Sequence, residues 1–140
     1  MRKTALFTII AIFFSCSILG PKSNQTSNSF TLKFINVGTY AVTGFYLNPG
    51  NDSINWGQNI LPVAALDSLQ YVFFGNLPKV SGYIMRARFD SLGSAAYLIF
   101  HIVTSPDTIS AYAALGPFGA YSIGYGWGLQ TWAGERRVGP

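Results

Sequence analysis

Residues 82–103 read GYIMRARFDSLGSAAYLIFHIV, and the fold is decided in them. The first part alternates strictly. Tyr83, Met85, Ala87 and Phe89 point one way, and Ile84, Arg86 and Arg88 point the other. Successive side chains of a strand leave opposite faces, so this pattern predicts a strand with one apolar face. Asp90-Ser91-Leu92-Gly93 supplies a hairpin connection, with Asp opening and Gly closing a type I turn. Residues 95–103 then return. Ala96, Leu98, Phe100 and Ile102 share one face, while Tyr97, Ile99 and Val103 share the other with His101. Antiparallel strands usually keep one wet face. Both faces of this one call for cover, so a second sheet covers one and another part of the molecule the other.

Working outward, Phe30, Leu32 and Phe34 alternate with Thr31 and Lys33, which predicts a half-buried strand from Phe30 to Asn36. Val37-Gly38-Thr39 begins a turn. Ala41 to Leu47 (AVTGFYL) has the β-branched and aromatic content of a strand, with Gly44 as a bulge candidate. Asn48 to Asn59 (NPGNDSINWGQN) reads as a long loop, and Ile60 to Leu69 fits either a strand or a connection. Gln70 to Gly75 predicts a strand, Asn76 to Lys79 a break, and Thr108 to Leu115 a last strand after Ser105-Pro106-Asp107. Turn signals recur every eight to twelve residues or so and no long amphipathic helix appears. The expected fold class is all-β: a small antiparallel β-sandwich or barrel-like domain over residues 30–115.

Residues 116–140 hold seven glycines and five aromatics, Phe118, Tyr121, Tyr125, Trp127 and Trp132. In Gly124-Tyr125-Gly126-Trp127-Gly128 an extended chain puts both rings on one side and bare backbone on the other. This tail reads either as a low-complexity appendage or as a packing segment. The second reading has it fold over its own domain, burying Tyr125 and Trp127 against Tyr97 and Ile99, or meet a partner.

The other end of the chain points to export. Arg2-Lys3 precedes an apolar run from Ala5 to Phe14, right for a signal peptide and too short to span a hydrocarbon core of about 30 Å. Cys16, the single cysteine, sits where that run stops, so an intrachain disulfide is excluded. Ser15-Cys16 resembles the processing site of a bacterial lipoprotein leader, in which the cysteine takes the lipid and becomes the mature N-terminus. Residues 1–16 are then the signal peptide, and residues 17–29, including Pro21 to Ser29 (PKSNQTSNS), form a polar tether. The protein is expected in the bacterial cell envelope, membrane-anchored through an N-terminal lipid. The alternative is ordinary cleavage near Ser17 or Gly20, giving a secreted or periplasmic protein.

Ile35-Asn36-x-Gly38, then Gly44 to Pro49, then Trp56-Gly57-Gln58-Asn59-Ile60-Leu61, resemble an uncharacterised family of small exported bacterial β domains in order and spacing. The likeness runs from about Phe30 to Gly93. Ile84 stands where that group carries an Asp two residues before the Arg of its Asp-x-Arg pair. The resemblance implies the fold class and export, with no activity attached.

Charged residues make up 10% of the chain and apolar ones 49%, against roughly 25% charged for an average soluble domain. Beyond the leader, seven basic side chains face five acidic ones. They are scattered, and nucleic-acid binding, which needs clustered Lys and Arg, is not expected. His101 lies between Phe100 and Ile102 within a strand, a packing position. Asp52, Asp67, Asp90 and Asp107 each sit at a turn, where Asp bonds nearby backbone N–H groups. No catalytic residue, metal site or cofactor is expected, with one His and no usable Cys. Arg86 and Arg88 lie about 7 Å apart on one strand face. They read as a clamp for an acidic ligand or as ordinary surface charge. Trp56, flanked by Asn55, Gln58 and Asn59, is either a stacking platform for a sugar ring or a plug for the end of the sandwich. The expectation is a non-enzymatic interaction or structural module with a protein or glycan partner. A secreted glycan-binding domain using Trp56 is the alternative, and a hydrolase the third reading.

Overall fold

The computed structural model describes residues 27–50, 52, 54–90, 95–100, 106–118 and 121–140. Cys16, Asn51, His101 and the turn at 91–94 lie outside the described residues. Eight strands follow in order: β1 (Ser29–Asn36), β2 (Val42–Pro49), β3 (Gln70–Pro78), β4 (Tyr83–Phe89), β5 (Ala95–Phe100), β6 (Thr108–Leu115), β7 (Tyr121–Trp127) and β8 (Arg136–Arg137). They form two sheets, one ordered β7-β6-β1-β3-β8 and one ordered β2-β4-β5. The all-β sandwich expected from the sequence is what the chain forms. Four strand pairs are antiparallel. Two are parallel, β1 with β6 and β3 with β8.

The core lies where the inward sets of the two sheets meet. Tyr83, Met85, Ala87 and Phe89 are all buried, as their alternation requires. Opposite them lie Phe30, Leu32 and Phe34 of β1 and Ile109, Ala111 and Ala113 of β6. Phe45 stacks on Phe34 at 4.0 Å between ring centroids and on Phe74 at 5.4 Å. It therefore joins β2 to both β1 and β3.

The turn after β1 is built by Asn36. Its Oδ1 accepts from Gly38 N at 2.9 Å, and its Nδ2 donates to the carbonyls of Tyr40 and Leu66, each at 2.8 Å. A Cβ on Gly38 would run into the Leu115 backbone, so only glycine lets the turn pass β6 this closely.

An exposed β2 edge would template pairing with another chain. Residues 59–66 run beside it instead. Ile60 N donates to Phe45 O, and Val42 and Leu66 exchange two backbone bonds. The Asn59 side chain accepts from Phe45 N at 2.9 Å and donates to Thr43 O at 3.3 Å. The register slips between Val42 and Gly44, where the sequence suggested a bulge.

Residues 116–140 are not an appendage to a domain ending at Leu115. Their first part is β7, paired with β6 from Ile109 to Leu115. The chain then crosses the outer face of the larger sheet as a strap and ends in β8, beside β3 at the far edge. The segment does dock on its own domain: it extends the larger sheet beside β6, and its backbone also comes close to β5. Tyr125 packs against the core, and Trp127 stays 54% exposed. The bare side of the glycine alternation takes neighbouring side chains. A Cβ on Gly124 would strike the Tyr112 ring, and one on Gly126 would strike the Gln130 amide.

Candidate functional site

Both outer faces of the sandwich are crossed by the chain itself, and each crossing gathers the polar and aromatic groups from which a site would be made. The first lies over the smaller sheet. Arg86 sits mid-strand in β4, in register with Tyr46 of β2 and Tyr97 of β5. Alternation puts it on the face away from the core, yet it is only 1% exposed. The loop carrying Asp52 to Asn59 folds back over that face. Arg86 Nη1 donates to Asn55 O at 3.1 Å, and Asn48 Nδ2 donates to the same carbonyl. The Trp56 ring lies over the guanidinium at 5.2 Å and meets Tyr46 edge-on at 5.1 Å.

The sequence thus offered two readings for Arg86, a ligand clamp or solvated charge, and neither describes its place. Its cation is enclosed beneath its own loop, held by a carbonyl and an indole face. Arg88, two residues on, is exposed. Trp56 is half-buried against the sheet. Of the other ligand-binding candidates, Asn55 joins this cluster, Asn59 is spent on the β2 edge, and Gln58 is exposed. Asp52 organises the loop, accepting from the N–H groups of Ile54 and Asn55 at 3.0 Å each. The Asn55 and Ile54 N–H bonds hold its carboxyl below the usual range, with Arg86 nearby adding to the effect. Gly57 has φ +70°, and a Cβ there would collide with the Asn48 side chain.

The second crossing centres on Lys33 of β1. Its Nζ donates to Gln130 O at 2.8 Å and to Glu135 Oε1 at 2.5 Å. The Tyr71 ring lies 4.3 Å from the ammonium, and Trp132 closes the other side at 5.7 Å. The Lys33 side chain is 3% exposed and that of Glu135 14%. Ser110 Oγ secures the strap further back, donating to Gly128 O at 2.9 Å and accepting from Gln130 N at 2.8 Å. Sequence reading missed this cluster. The signals were there: a lone Lys on the polar face of a strand, and the chain's single Glu 102 residues away.

Burial by itself raises the Glu135 pKa. The Lys33 and Trp132 N–H donors outweigh that and hold it below the ordinary value. A depressed carboxylate stabilises the fold above its unfolded pKa, about 4.3, and loses that contribution as pH falls through the folded value. Glu135→Gln is therefore expected to cost about 1.5–3 kcal/mol at pH 7. The difference in melting temperature from the parent protein should shrink below about pH 4. Melts from pH 7 to pH 3 check this, and a gap independent of pH would contradict it.

Among the other carboxylates, Asp107 pairs with Lys79 at 2.7 Å. Gln70 reads the Asp67 turn through its side chain and its N–H. Asp90 is exposed at the end of β4. Among the described residues, no three His, Cys, Asp or Glu gather to hold a metal ion.

No family model matches the chain, and no curated protein matches it. A solved structure does: the NMR structure of a protein from Eubacterium rectale. The two are 16% identical, with a TM-score of 0.53 over 76% of this chain and 96% of that one. The likeness is one of fold. It extends to nearly the whole of the other protein and says nothing of activity.

Proposed function

We propose that this chain is an exported β-sandwich of the bacterial cell envelope, anchored by a lipid on Cys16, that acts as an interaction or structural module rather than an enzyme. The observation that supports it best is how the polar groups of the domain are employed. Lys33 and Glu135 fasten the strap, Arg86 and Asp52 fasten the loop, and Lys79 pairs with Asp107. A catalytic site needs groups held near a substrate with bonding capacity left over. These are engaged in holding the fold.

The leader supports the export half of the reading. A basic start, a ten-residue apolar run and Ser15-Cys16 are followed by a polar stretch that leads into β1. Expressed in a bacterial host, the mature protein should carry acyl chains at Cys16 and enter the detergent phase on phase separation. Cys16→Ser should leave it in the aqueous phase. A mature N-terminus at Ile18 or Pro21, with soluble behaviour, would overturn the anchor.

A further inference from the structure

Four large apolar side chains are exposed among the described residues: Ile54, Phe118, Trp127 and Leu129. Their distribution is uneven. β1 begins at the end of the sandwich where β7 finishes. Thr31 N donates to Asp107 O, and Gly128 N donates to Thr108 O, so the start of β1, the start of β6 and the residue after Trp127 form one row. Trp127 and Leu129, each 54% exposed, flank that row. Ile54 belongs to the loop that leaves β2 at the same end, where Gly50 N donates to Gly82 O. Phe118 is at the opposite end, in the turn between β6 and β7.

We infer that the end of the sandwich bearing Trp127 and Leu129 seats on the lipid headgroup surface to which the chain is anchored. The inference rests on the lipid anchor at Cys16 proposed above. Its argument is the length of chain outside the described residues and where that chain enters. Ten residues lie between Cys16 and Ser27, and even fully extended they reach at most roughly 40 Å. They enter the domain at the end that carries Trp127, through β1, with β6 between the two. The far end, with Phe118, is a strand length further off, roughly 25 Å. The far end therefore meets the bilayer only with well over half of that reach drawn out along the domain, whereas the Trp127 end meets it with the reach unspent, and a lipid at Cys16 favours the Trp127 end.

The chemistry of that end suits a headgroup layer. An indole has an apolar body and one polar N–H, the combination found at membrane interfaces. Tyr125 meets Trp127 edge-on at 5.5 Å, which fixes the indole while leaving it outward. Gly128, at φ +76°, turns the chain between Trp127 and Leu129. Asp107, whose carbonyl belongs to this row, pairs through its side chain with Lys79 at 2.7 Å.

Cys16 is the only cysteine, which makes the test clean. The chain from Cys16 to Pro140 is coupled through that thiol to a maleimide phospholipid. The vesicles are phosphatidylcholine and phosphatidylglycerol with brominated acyl chains, and tryptophan emission is read. Quenching is expected for the parent protein, lost in Trp127→Phe and kept in Phe118→Ala. Absence of quenching in the parent, or equal quenching in Trp127→Phe, overturns the inference; in the second case Trp56 or Trp132 meets the bilayer instead. Coupling imposes the anchor chemically. Failure here leaves acylation of Cys16 in cells standing, and failure of acylation in cells leaves this measurement unaltered.

Discussion

Truncation after Leu115 is expected to yield a chain that does not fold. The deletion removes β7, so β6 becomes an open edge along its whole length. It removes the strap whose Trp132 packs on Tyr112, and it removes β8 from the edge of β3. It also strips the outer face of the larger sheet, where Lys33 loses Glu135, the Gln130 carbonyl and the Trp132 ring together. Losing a buried aliphatic side chain such as Ile123 of β7 costs about 2–5 kcal/mol by itself. That is a large share of the roughly 5–15 kcal/mol that holds a typical domain together. Circular dichroism, a melt and a size measurement in solution read the result. A monomeric product that melts with the full-length protein would show the last two strands to be dispensable.

Phe45→Ala is expected to be the most damaging single substitution in the core. Phe45 is fully buried and touches the other sheet through two rings, Phe34 at 4.0 Å and Phe74 at 5.4 Å. Its loss leaves a cavity between the sheets that rigid strands on both sides cannot close. Phe to Ala changes of this kind cost about 3–5 kcal/mol. The melting temperature should fall by roughly 10–25 °C, with the fold retained if the parent stability allows. A fall of only a few degrees would mean that neighbouring side chains refill the space.

The smaller sheet was readable from residues 82–103 because alternation is a local property. Each inward side chain of β4 is where its parity puts it. The same logic failed at Arg86 for a definite reason. Parity tells which face a residue takes, and burial depends on what lies over that face. The cover here is the loop that brings Asn55 and Trp56 back, 31 residues away in the case of Asn55. The strand within the tail was hard to read for a related reason. Tyr121, Ile123, Tyr125 and Trp127 alternate with Ser122, Gly124 and Gly126, so β7 carries the period of a strand, but glycine's low strand propensity masks it. Its glycines are contact surfaces for Tyr112 and Gln130, a role visible only once both partners are placed. The Lys33 to Glu135 pair joins the first strand to the last turn, and no window along the chain contains both.

That pairing has a consequence for timing. β1 is made before both of its neighbours, β3 and β6, and the charge on Lys33 finds its counterpart only at residue 135. Such distant contacts close slowly. A polypeptide emerging from the ribosome therefore lacks this seal until residue 135 has been made. Under the export proposed above, the missing counter-charge would hold back compaction until residue 135 had crossed.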